Sequence, residues 1–204
     1  MALGLVSEGG GGGDIIPIIK FDAKAGDFIR QDRTQSATGE WQKSDHEMAL
    51  PLTVVMDFDA LEVGWLSFAS GAPSFAMVKI GEPMPQKPTD EHKQAFRIRI
   101  YGKEIGHREF SSQAKTVIRQ FDALHDQFTA ERGAHPGEVP VVTISGTKTI
   151  TVNTPQGENR FKVPEWSITS WTARSNIENG ATSPAPSAEP APAPAPDVTG
   201  SDLF

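Results

Sequence analysis

Residues 93–101, KQAFRIRIY, alternate between apolar and polar positions along their whole length. Phe96, Ile98 and Ile100 fall on one side, and Lys93, Arg97, Arg99 and Tyr101 on the other. A period of two is the period of a β-strand, and the β-branched and aromatic content agrees with it. The chain must therefore build a sheet with one face on a core. The other face presents two guanidinium groups and a phenol ring side by side. Such a set can grip phosphates and stack on bases. It can equally be a half-solvated strand whose arginines pair with surface acids.

Around this stretch the chain reads as strands with one helix. Residues 15–21 (IIPIIKF) form a short apolar run that Pro17 confines to a strand start or a sheet edge. Residues 26–32 can pair with it as a hairpin across 22–25. The polar stretch 33–47 reads as a long loop, unusual in holding Trp41. Residues 52–58 and 61–69 read as two strands joined around Asp59 and Ala60, with Gly64 hinting at a bulge or a close backbone approach. A strand over 74–80 follows. The proline-rich segment 81–90 then reads as a loop. In 111–132, Ala114, Val117, Ile118, Phe121, Leu124 and Phe128 recur at three- and four-residue steps, which predicts an amphipathic helix. Ser111 or Ser112 is the expected cap and Gly133 the stop. Residues 139–145, 148–152, 159–163 and 167–172 read as late strands, with a turn at 153–157. Many short strands, turns rich in Gly and Pro, and a single helix predict a mainly β fold: a small β-barrel of the oligonucleotide-binding (OB) type.

The ends differ from the middle. Residues 1–14 are glycine-rich and offer little to bury, so disorder is expected. Residues 177–196 form a linker containing the Pro-Ala tract PAPSAEPAPAPAP, which predicts an extended spacer. Residues 197–204, DVTGSDLF, carry Asp197 and Asp202 with Leu203 and Phe204 at the very end. The formal net charge is −7, but Glu8, Asp14, Glu178, Glu189, Asp197 and Asp202 sit in the ends. Residues 15–176 are left at −1, so any cationic groove must be local, unlike the broad basic footprint of a duplex-DNA binder.

The absence of cysteine leaves no disulfide framework and no thiolate metal site. No run approaches the roughly 20 apolar residues of a membrane helix. The start lacks the basic and apolar regions of a secretion signal. The expectation is a soluble, cytoplasmic protein that does not engage a membrane. None of the histidines (His46, His92, His107, His125, His135) makes HExxH, and there is no GxSxG elbow, P-loop or dinucleotide fingerprint. Asp57 and Asp59 could hold a cation, although turn acids at strand ends are common. No cofactor and no enzymatic activity are expected.

The residue types instead suit a groove for single-stranded nucleic acid, where cations track the backbone and aromatics stack on bases. The candidates are Arg30, Arg33, Trp41, Lys43, Trp65, Lys93, Arg97, Arg99, Tyr101, Arg160 and Lys162, with Phe161, Trp166 and Trp171 also weighed. Most aromatics of a small domain are core, so only some of these should meet a ligand.

A Pro-Ala spacer ending in Asp197, Ser201, Asp202, Leu203 and Phe204 resembles the single-stranded DNA-binding proteins of bacteria and phages. The stretches EVGWLSF (62–68), EHKQAFRIRI (91–100) and EFSSQAKTVIRQFDALHD (109–126) look like those of some tailed phages. The resemblance implies an OB barrel over 15–176 that binds single-stranded DNA without strong sequence preference. It also implies an acidic tip that docks on replication or recombination proteins, in the host cytoplasm if the chain is phage-encoded. Bacterial tips have adjacent acids and a proline before Phe, whereas Asp202 here stands alone, which implies weaker docking or a different partner. The competing reading is a scaffold or virion-assembly module that uses the same sheet without nucleic acid.

Overall fold

The computed structural model describes residues 16–177, apart from positions 37, 72 and 156 and the side chains of 35 and 154. The expected glycine-rich N-terminus, the linker and the tip lie outside the described residues. Among the described residues nine strands and one long helix follow in order: β1 (Ile18–Asp22), β2 (Asp27–Gln35), β3 (Trp41–Met48), β4 (Leu52–Ser67), β5 (Ser74–Lys79), β6 (Lys93–Gly102), β7 (Gly106–Ser112), α1 (Lys115–Glu131), with a 3₁₀ turn (Arg132–Ala134) after it, β8 (Glu138–Thr154) and β9 (Gly157–Ala173). They form one sheet in the order β3-β2-β1-β7-β6-β4-β8-β9, with β5 beside β4. The β1–β7 pair is parallel and the other pairs are antiparallel. The fold is mainly β, a curled half-barrel with one long helix.

The hollow is filled by the apolar face that the alternation predicts. Phe96, Ile98 and Ile100 of β6 are buried, as are Ile19, Phe28, Val54, Met56, Phe110, Val142 and Ile144. α1 supplies Val117, Phe121, Leu124 and Phe128 to the same core. Phe121 stacks on Phe96 at 4.0 Å between ring centroids and on Phe58 at 5.5 Å. Each such side chain removed from water contributes about 1.5–3 kcal/mol. The curl also brings β9 to the turn between β1 and β2, where Lys162 N donates to Ala23 O at 2.7 Å. That turn is set by the Asp22 carboxylate, which accepts N–H bonds from Lys24 and Ala25. The same bonds hold its pKa below the usual carboxylate value.

Several expected boundaries change. Residues 33–47 are not a loop: they hold the end of β2 and most of β3, paired from Phe28–Met48 to Gln35–Trp41. β3 is polar on both faces, so it carries no apolar period to read. β7 was hidden for a similar reason, with Phe110 its one large apolar residue. The helix starts at Lys115, with Ala114 at the N-cap and no side-chain cap, because β7 claims Ser111 and Ser112. It ends at Glu131, and Gly133 lies in the 3₁₀ turn that follows.

The two strands expected at 52–58 and 61–69 are one strand, β4, with a register shift between Asp57 and Glu62. The shift lets its first half pair with β8 and its second half with β5, while β6 runs along both. Gly64 is the close approach: a Cβ there would lie 2.1 Å from Ala76 O. The late strands merge likewise into the long β8–β9 hairpin, with register shifts at Val141/Val142 and Ile144/Gly146. Pro164 lies within β9, which tolerates it as an edge strand.

Candidate nucleic-acid interface

The register sorts the predicted residues into faces, because residues directly opposite on paired strands point the same way. β6 turns Phe96, Ile98 and Ile100 inward and Lys93, Arg97, Arg99 and Tyr101 away from α1. Across β7 these outward residues meet Ser111, Glu109 and His107. Glu109 aligns with Ile18 of β1, Ile18 with Gln31 of β2, and Gln31 with Asp45 of β3. Two steps along, Arg33 aligns with Lys43, and Gln35 with Trp41. Two groups read separately in the sequence, around Arg97 and around Trp41, thus share one continuous outer face. Trp41 is 66% exposed.

The charges on this face are unevenly free. Arg97 is locked: its Nε donates to Glu62 Oε2 at 2.6 Å, and Nη2 lies 2.5 Å from the same oxygen. Glu109 is 3.8 Å from Nη1, and the guanidinium rests 4.9 Å from the Phe75 ring centroid. The cause is register, since Glu62 lies directly opposite Arg97 on β4. Burial pushes the Glu109 carboxyl above its usual pKa; Arg97 opposes that rise and Glu62 adds to it. The expected trio of outward groups therefore loses Arg97 as an open phosphate ligand. Arg99 is exposed. Among the described residues, Arg33, Lys43, Lys93 and Arg99 make no ion pair.

Tyr101 stacks on His107 with centroids 4.5 Å apart and planes 9° from parallel. Burial lowers the His107 pKa, and nearby Arg99 and Arg108 lower it further, so the imidazole is neutral at neutral pH. Burial, with Asp57 beside it, raises that of Tyr101. The pair makes a neutral aromatic plate among cations.

Asp57 and Asp59 are not a cation site. Arg174 bridges both carboxylates, reaching Asp57 at 3.0 and 3.3 Å, and Arg132 also reaches Asp59. Hydrogen bonding to Asp57 raises the pKa of Arg174 and holds its charge. Among the described residues no group of three His, Asp or Glu side chains is placed to hold a metal.

The remaining candidates scatter. Arg30 lies one strand face away from Arg33, donating to Glu104 O and pairing with Asp32 at 3.0 Å. Residues three apart on a strand cannot share a face. Trp65 donates its indole N–H to Pro85 O and sits under the proline loop. Trp166 and Trp171 pack against the core. Arg160 is exposed on β9, and Lys162 lies beside the Ala23–Gly26 turn. The sequence reading missed Arg174, Lys20, Phe68 and Phe75. Lys20, Phe68 and Phe75 stood in stretches read as strands, but nothing in a sequence reports that Phe68 is 52% exposed. The tip residues Asp197, Asp202, Leu203 and Phe204 lie outside the described residues. Comparison with family models, with curated proteins and with solved structures gave no match. Among the described residues, no helix is long and apolar enough to cross a membrane.

Proposed function

We propose that this protein binds single-stranded DNA without strong sequence preference and recruits replication or recombination proteins through its C-terminal tip. The observation that carries the reading is the outer face on which Arg33, Lys43, Lys93 and Arg99 stand unpaired beside exposed Trp41 and the Tyr101–His107 stack. Cations take the phosphates, and the aromatic plates take bases of any identity. Arg97 serves here as a support, holding Glu62, Glu109 and Phe75 in place. Four phosphate contacts imply a slope of log K against log salt of roughly −3, at about −0.7 per contact on a single strand.

Titration of intrinsic tryptophan fluorescence with poly(dT) across a salt series tests this. Trp65, Trp166 and Trp171 are half-buried and engaged by Pro85 O, Gln120 O and the Phe128 ring, so the quench should come from Trp41 and vanish in Trp41→Phe. Unchanged fluorescence at low salt would refute the reading. One observation favours the rival scaffold function: Glu62, Glu109, Asp57 and Asp45 offset much of the cationic charge of this face. That module would leave poly(dT) unbound.

A further inference from the structure

Away from the Tyr101 end, the outer face is not flat. A groove of about 650 Å³ runs between β1 and the β4–β5 edge, across the ends of β6 and β7. Ile18, Leu66 and Phe75 line it, Phe68 stands half-exposed in its wall, and Lys20 and Arg33 reach it from the β1–β2 side. We propose that this groove is the base-binding trough of the protein, holding a short run of unpaired bases against Phe68 while Lys20 and Arg33 hold the flanking phosphates. The inference rests on the single-stranded DNA reading above and gives it a place.

Three features select a polynucleotide as the occupant. First, the groove is apolar in its walls and cationic at its rim, the order in which bases and phosphates present themselves. Its one acid, Glu109, lies 3.8 Å from the Arg97 guanidinium, which it shares with Glu62. Second, the Arg97 guanidinium, which also lines the groove, rests 4.9 Å from the Phe75 ring centroid and is itself held by Glu62, so the two brace one wall. Third, the groove continues on the same face toward Arg33, Lys43 and Trp41, the exposed plate and cations of β2 and β3. Its size is that of a small-ligand site, which suits a short run of bases.

The test uses the full chain and two oligomers of about 12 nucleotides. One is oligothymidylate, and the other has the same phosphates but abasic sugars. Phe68→Ala should weaken oligothymidylate binding about tenfold and leave abasic binding unchanged, and Phe68→Tyr should restore affinity. The salt slope should not move, since no phosphate contact is lost. Phe68 is half-exposed, so its truncation should leave the fold intact. Equal affinity of Phe68→Ala and the parent chain for oligothymidylate would overturn the trough while leaving single-strand binding standing. An equal loss on both oligomers would also overturn it. Failure of the parent chain to bind either oligomer at low salt would remove the wider reading and the trough with it.

Discussion

Arg97 and Arg99 sit two residues apart on one face of β6, yet alanine should act on them in opposite ways. Arg97→Ala removes two close contacts to Glu62, the weaker one to Glu109, and the stack on Phe75. The side chains of the ion pair are 28% and 30% exposed, and that of Glu109 is 18% exposed. The pair therefore lies between an exposed one, about 0.2–1 kcal/mol, and a fully buried one, about 3–5 kcal/mol when one partner is lost. Adding about 0.5–1 kcal/mol for the cation–π contact gives a loss of about 2 kcal/mol. For a domain of this size that lowers Tm by about 4–8 °C. Glu62→Gln in the same chain should recover part of it, because the unpaired carboxylate is then gone. Arg99→Ala should leave stability within about 0.5 kcal/mol. It should instead make the salt slope of poly(dT) binding shallower by about 0.7, one phosphate contact. Thermal melts and salt-dependent titrations of the two variants decide the matter. If Arg97→Ala melts with the parent chain and flattens the salt slope as Arg99→Ala does, Arg97 is a DNA ligand and the supporting role is wrong.

Gly64→Ala should cost about 3 kcal/mol or more in urea unfolding, because the new Cβ would meet Ala76 O and Met77 Cα, both backbone atoms; an unaltered midpoint would refute the close β4–β5 approach. The depressed pKa of His107 predicts that the unfolded chain takes up this proton first, so stability is full above about pH 6.5 and falls as pH drops toward the lower folded-state value. His107→Gln should flatten Tm in that window; Glu109, whose pKa is raised by burial, acts from the ordinary glutamate value of about 4.5 upward and with the opposite sign, stability falling as pH rises. Deleting residues 197–204 should tighten DNA binding at low salt by removing two acids and the chain's own C-terminal Leu-Phe pair from competition with the strand, and equal affinity with and without them would count against that role.

The mainly β class, the one long helix, the inward faces of β6 and α1, and the hairpin turn at Asp22 were all legible, because each rests on a local period or a local side-chain bond. Glycine at position 64 likewise signalled close backbone approach before any partner was known. β3 and β7 were not legible: β3 carries no apolar period and β7 has a single large apolar residue, Phe110, so pairing with neighbours, not a hydrophobic pattern, makes them strands. The continuity of β4 through Asp57–Glu62 is also a property of its neighbours, since β6, β8 and β5 each hold part of it.

The candidate site divides in the same way. Alternation alone determined that Arg97, Arg99 and Tyr101 leave β6 on the side opposite the core. Which of them stays open depended on what lies across the strand: Glu62 for Arg97, Asp57 for Arg99, His107 for Tyr101. Asp57 is itself taken by Arg174, which is 117 residues away in the chain. Side-chain direction follows from one strand's geometry, whereas charge compensation follows from register between strands distant in sequence, and register exists only once the sheet has curled and closed on its core.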